Sequence, residues 1–191
     1  IDGNLTGGSL GFHFGINYPT KTISDCVNGS KLHVDQTIYL HSNGVKLILS
    51  PVHLDPKLDP SCLEHIVNSS RDEYDYILID GAPGIGREAL SCLQVADEIL
   101  LVSTPDIPCV TNNMKTYGMG RKLGKKVIGI VLNQVGRTPS VLTTSDIEQI
   151  SDGMKIIKSI PKSGHIPKSI ALQEPEVTAK PNTTLSIQFK K

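Results

Sequence analysis

Two carboxylates stand where this chain could do chemistry. Asp80 ends the run Tyr74-Asp75-Tyr76-Ile77-Leu78-Ile79-Asp80, and Gly81-Ala82-Pro83-Gly84-Ile85-Gly86 follows it. A buried strand that delivers one acid to its end can hold Mg2+, or a metal-bound water, beside nucleotide phosphates. The glycine-rich turn lets the backbone pass close to a phosphate or a partner subunit. An ordinary strand ending in an Asp-Gly turn would use the same residues. Asp2 opens a second segment, Ile1-Asp2-Gly3-Asn4-Leu5-Thr6-Gly7-Gly8-Ser9-Leu10-Gly11-Phe12-His13-Phe14-Gly15. Asn133 ends a third, Gly129-Ile130-Val131-Leu132-Asn133, and its amide offers a donor and an acceptor side by side. Thr104-Pro105-Asp106 and Ser159-Ile160-Pro161 end two more apolar runs, in residue types that are also common turn chemistry.

Strands must carry these residues to one edge. Tyr74 to Asp80, Glu98 to Thr104 and Lys126 to Asn133 are near-continuous apolar runs. Such runs suit strands covered on both faces, as in a parallel sheet. Val45 to Leu49 and Ile156 to Ile160 are weaker runs, ending at Ser50-Pro51 and Pro161. Helical spacing appears between them. Ser61 to Val67 is one helix, with Asp59 or Ser61 as cap; Arg87 to Ala96 and Thr111 to Leu123 are two more. A fourth opens at Ser145, with Ser145 and Glu148 at capping-box spacing. The alternation predicts an α/β fold, a doubly wound and mostly parallel sheet with helices on both faces. Ligands of open α/β sheets bind beyond the carboxyl ends of the strands. Asp2, Asp80, Thr104, Asn133 and the Pro161 turn are therefore the residues to examine.

Taken together, these segments resemble the MinD/ParA ATPases in order and approximate spacing across nearly the whole chain. That family has a strand ending in Asp-x-Asp, then Asn-Leu and a Gly. Asp2, Leu10 and Gly15 occupy those places, whereas Asn4 stands for the second Asp and Ser9 for the Asn. Asp80 matches the acid of the Walker B strand. The resemblance implies that Asp80 holds Mg2+, that Asp2 lies at the ATP site, and that Asn133 reads the adenine edge with Pro161 against the base. It makes Asn4 the counterpart of the acid that orients the attacking water. An amide can hydrogen-bond that water but cannot take its proton, so slow or absent hydrolysis is expected. The segments 166–175 and 180–189 resemble the helices that follow. The family's P-loop, Lys-Gly-Gly-x-Gly-Lys-Thr, is not in this sequence, and Gly7-Gly8-Ser9 has no lysine to replace it. Residues 1–191 are thus expected to form a single P-loop NTPase-like domain lacking its first strand and P-loop. It would be incomplete at the N-terminus and at the C-terminus, with neighbouring strand edges exposed.

The resemblance further implies ATP and Mg2+ as cofactors and a nucleotide-bound homodimer. It also implies a protein partner, a cytoplasmic location and peripheral membrane contact of the full-length form. Ile187 to Lys191 is too short to be a membrane helix. Asp80-Gly81-Ala82-Pro83-Gly84 is nearer the MinD pattern than the ParA pattern, so a MinD-like ATPase in cell division or spatial positioning leads. A ParA-type DNA-partition ATPase would need a basic face. Lys and Arg equal Asp and Glu at 19 each, which speaks against a nucleic-acid binder, and Arg121, Lys122, Lys125 and Lys126 form the main cluster. An iron–sulfur carrier would need paired cysteines, and Cys26, Cys62, Cys92 and Cys109 make no CxxC or CxC. A hydrolysis-deficient interaction domain remains open through Asn4.

Overall fold

The computed structural model describes residues 1–27, 32–136, 142–151 and 154–190; Lys191 lies outside them. Its elements in chain order are β1 (Asp2–Gly3), α1 (Ile23–Val27), β2 (Ile38–Leu40), β3 (Lys46–Ile48), α2 (Cys62–Ser70) and β4 (Asp80–Gly81). Then come α3 (Arg87–Val95), β5 (Glu98–Ser103), α4 (Ile107–Lys122), β6 (Lys126–Val135), α5 (Thr144–Ile150) and β7 (Ile156–Pro161). Three helices close the order: α6 (His165–Leu172), α7 (Glu176–Ala179) and α8 (Thr184–Lys190).

The expected parallel pairing is present. β1 pairs with β4, and β5, β6 and β7 form a three-stranded parallel sheet. The run from Val45 to Leu49 departs from that pattern, because β3 pairs antiparallel with β2 in a hairpin. The run from Tyr74 to Asp80 is also shorter as a strand than its composition predicts. Among the described residues its ladder contacts are with β1, where Asp80 N–H donates to Ile1 O at 2.9 Å. Tyr76 and Leu78, inside the predicted strand, are 88% and 81% exposed.

Two cores hold the molecule together. Leu5, Ile23, Cys26, Val34, Ile48, Leu63, Ile66 and Cys92 form the first. Leu93, Ile99, Leu101, Val110, Ile130, Leu132, Ile147 and Met154 form the second. Helix α3 joins them, since Cys92 belongs to one and its neighbour Leu93 to the other. Strand β5 alternates instead of being covered on both faces as its apolar run predicts. Ile99, Leu101 and Ser103 are buried, while Leu100 and Val102 are exposed, as are Ile128 on β6 and Ile157 on β7. β4 pairs only with β1, and β5 only with β6, so each keeps one strand edge without a ladder partner among the described residues.

Helix ends follow local chemistry. α2 starts at Cys62 without a side-chain cap bond from Ser61; Asp59 Oδ1 instead accepts from Ser61 N–H at 2.9 Å. α4 begins four residues before Thr111 because Asp106 caps it and Pro108 suits its first turn. The capping box of α5 is Thr143 with Asp146, two residues before the predicted Ser145 and Glu148. Thr143 precedes the first helical residue and has the extended backbone of a cap, whereas Ser145 already lies inside the helix.

Candidate functional site

β1 and β4 run side by side with Asp2 opposite Asp80 and Gly3 opposite Gly81. Both acids thus reach one end of the same strand pair, and they differ sharply in surroundings. Asp2 is 1% exposed, and its two oxygens accept from Asn4 N–H at 3.1 Å and Leu10 N–H at 3.3 Å. Burial pushes its carboxyl above the ordinary value of 3.8, against the pull of those two N–H donors; the nearby Asp80 adds to the rise. Asp80 is exposed at the strand end. Mg2+ commonly keeps several waters and takes one or two carboxylates together with phosphate oxygens. An exposed Asp80 backed by a hydrogen-bonded Asp2 fits that donor set.

Glycine at position 3 is a packing requirement. A Cβ there would lie 2.7 Å from Cys92 Sγ and 2.9 Å from Asp80 O. Ser50, at the end of the β3 run, contributes a contact that its sequence did not suggest. Its buried hydroxyl donates to Asp2 O at 2.9 Å, and a Cβ on Gly8 would come 2.8 Å from Ser50 Cβ. The loop after β1 is therefore folded down against the sheet. Within it Asn4 Nδ2 donates to Gly7 O at 3.2 Å, so part of its donor capacity is used inside its own loop.

Asn133 and Pro161 lie on adjoining strands. After Leu132 the β6–β7 register shifts, and pairing resumes with Val135 opposite Pro161. Lys162 N–H donates to Val135 O at 2.9 Å, which extends the ladder past the expected Pro161 turn and makes Pro161 the last residue of β7. Gln134 takes up the displaced backbone in a left-handed conformation with φ 57°, and its N–H donates to Asn133 Oδ1 at 2.9 Å. The Asn133 amide is thereby held in one orientation, with Nδ2 and one lone pair of Oδ1 left over among the described residues. No sequence signal marks position 134, since glutamine rarely adopts positive φ.

Thr104 and Asp106 do something plainer. Thr104 Oγ1 donates to Asp106 Oδ2, and Asp106 Oδ1 accepts from Cys109 N–H at 3.0 Å. The segment caps α4, and these bonds hold the Asp106 carboxyl below its ordinary range, the Thr104 hydroxyl first among them. Three residues of the basic cluster are likewise engaged. Lys126 pairs with Glu98, Lys125 Nζ donates to Gln94 O at 2.6 Å, and Arg121 lies 5.8 Å from the Tyr117 ring centre.

Comparison with known proteins gives this geometry a class. The family model for ParA, the NUBPL iron-transfer P-loop NTPases, matches residues 36–191. An ATP-binding protein of Methanocaldococcus jannaschii is 28% identical over 179 residues, covering 93% of this chain and 67% of that protein. The crystal structure of the cell-division ATPase MinD from Pyrococcus furiosus superposes with a TM-score of 0.89 at 30% identity, covering 98% of this chain and 80% of that one. MinD from Pyrococcus horikoshii in complex with Mg-ADP gives 0.89 at 27% identity, with coverage of 98% and 78%. The chain belongs to the ParA family of P-loop NTPases, on the MinD/ParA fold. Among the described residues, no helix is long and apolar enough to cross a membrane.

Proposed function

We propose that this chain is the greater part of a MinD-like ATP switch, which in its full-length form binds Mg-ATP and dimerises around it to position a partner complex. The observation that carries the reading is the register of Asp2 with Asp80 at the end of a parallel strand pair. In this reading Asp80 holds Mg2+, Asp2 fixes the loop beside it, and Asn133 with Pro161 receives the adenine. Bound Mg2+ would neutralise phosphate charge, and the chain's own residues would orient the nucleotide. A strand leading into the P-loop would pair between β4 and β5, with its helix on one face of the sheet. Support comes from the unpaired edges of those strands and from the exposed Leu78, Leu100, Val102 and Ile128. Asn4 replaces the acid expected near the attacking water, so the switch hydrolyses ATP slowly. The working site is cytoplasmic, with peripheral membrane contact in the full-length form. Measuring ATP affinity of the full-length protein with and without Asn133→Ala tests the base site. A loss of about tenfold is expected for ATP, and an unchanged affinity would remove Asn133 from it.

A second reading, cluster or metal transfer, draws on the description of the matching family. Three of the four thiols weigh against it. Cys26, Cys62 and Cys92 all pack at the first core. Burial raises all three, Cys62 to about 12. Iron–sulfur ligands are thiolates, which such surroundings disfavour. Iron and sulfide loading of the full-length protein, read by visible absorbance, separates the two readings.

A further inference from the structure

The loop after β1 is anchored at two places that belong to different parts of the fold. Its near end is tied to Asp2 through the N–H groups of Asn4 and Leu10. Its far end runs through the 3-10 turn Leu10–Phe14 and Gly15, and then meets a residue 156 positions away. Asn17 Nδ2 donates to Gln173 Oε1 at 3.0 Å, and Gln173 Nε2 donates back to Asn17 Oδ1. Two half-buried amides thus satisfy each other in a closed pair, which fixes direction as well as distance.

The partner side of this pair is unusually constrained. Gln173 is the C-cap of α6 and has φ 56°; Gln134 and Gln173 are the two non-glycine residues with positive φ among those described. A glutamine keeps that conformation only where its surroundings hold it. Gly15, itself left-handed at φ 72°, lies against it, with the Gln173 carbonyl 3.7 Å from where a Cβ would be. Phe14 adds an edge contact to His41 with ring centres 5.2 Å apart. Helix α6 follows β7, whose last residue, Pro161, pairs with Val135, two residues past Asn133.

We propose that Asn17 and Gln173 are positioning residues, a clamp that holds the loop carrying Asn4 against the helix following the base-side strand. The site assignments in that statement rest on the function proposed above, whereas the clamp itself does not. With the pair closed, the loop and the base-side strand keep one spacing. With it open, the loop keeps its ties to Asp2 and its contacts with Ser50 and His41 but loses its bond to α6.

The test is amide hydrogen exchange on this chain in Asn17→Ala, Gln173→Ala, the double variant and the swap Asn17→Gln with Gln173→Asn. Each single variant should speed exchange of residues 10–17 about tenfold, as loss of a two-bond contact would. Amides of Ile130 to Leu132 should keep the parental rate, which separates release of the loop from general destabilisation. The double variant should be no worse than either single one, and the swap should restore most protection. Unchanged exchange in the single variants, or additive effects in the double, would overturn the clamp. In the full-length protein, Asn17→Ala should also speed release of bound ATP several-fold. If the parent binds no ATP, the proposed function fails while the exchange result still decides the clamp.

Discussion

Placing a methyl group at position 3 probes how tightly β1 seats on its neighbours. In Gly3→Ala the new Cβ falls 2.7 Å from Cys92 Sγ, 2.9 Å from Asp80 O and 2.9 Å from Ile79 Cγ2. Ordinary contact begins at 3.4 Å, so each neighbour is about 0.5–0.7 Å too close. One is the backbone of the paired strand and another a buried thiol, and neither has a flexible end to swing away. Strand β1 must lift, carrying Asp2 from Asp80. Overpacking of this kind costs about 1–3 kcal/mol. For a chain of this size that is a fall of about 2–12 °C in melting temperature. Urea unfolding followed by circular dichroism reads the change directly. Adding Cys92→Ala to Gly3→Ala should recover part of the loss and no more, because the Asp80 carbonyl stays in place. A Gly3→Ala variant within about 0.5 kcal/mol of the parent would refute the reasoning, since β1 could not then be packed as described.

The capping assignment separates two neighbouring positions: Thr143→Ala should cost about 1 kcal/mol in unfolding free energy, and Ser145→Ala less than about 0.5. Asp2 predicts a pH dependence of defined sign. Burial favours its neutral form in the folded state, so the folded chain holds the proton to higher pH than the unfolded chain, whose value is the ordinary 3.8. Its contribution is therefore greatest below that value and is lost as pH rises through the elevated folded value, by about 1.4 kcal/mol for each unit of elevation. The unfolding free energy of the chain minus that of Asp2→Asn should fall as pH is raised from about 3.8 to 7, and a flat difference would contradict the assignment. Arg71→Ala, which removes an exposed pairing with Asp97 at 3.1 Å, should leave the urea midpoint essentially unchanged, because solvent screens such a pair.

What the sequence made legible is tied to local pattern. Apolar runs ending in a polar residue marked β5, β6 and β7, and Asp80 and Asn133 were found as the residues on which such runs stop. The same rule over-extended β4, because an apolar run reports strand tendency and not the presence of a partner. Tyr76 and Leu78, inside that run, are exposed. The alternation of β5 was hidden for the same reason: both of its faces are apolar, and only the surrounding helices decide which is covered. Asp2 was legible as a strand-end acid in a glycine-rich setting. Its contact with Ser50 and the pairing of Asn17 with Gln173 were not, since each joins residues far apart in the chain. The left-handed Gln134 was illegible too, because a register shift against β7 imposes it.

The proposed function turns on Asp80 as the Mg2+ ligand of an ATP site. The most direct measurement is calorimetric ATP binding by the full-length protein, with and without Mg2+, beside Asp80→Ala. The parent should bind ATP more tightly with Mg2+, and the variant should keep its fold and lose about tenfold or more of that gain. Equal Mg-ATP affinity in the parent and Asp80→Ala would contradict the central claim.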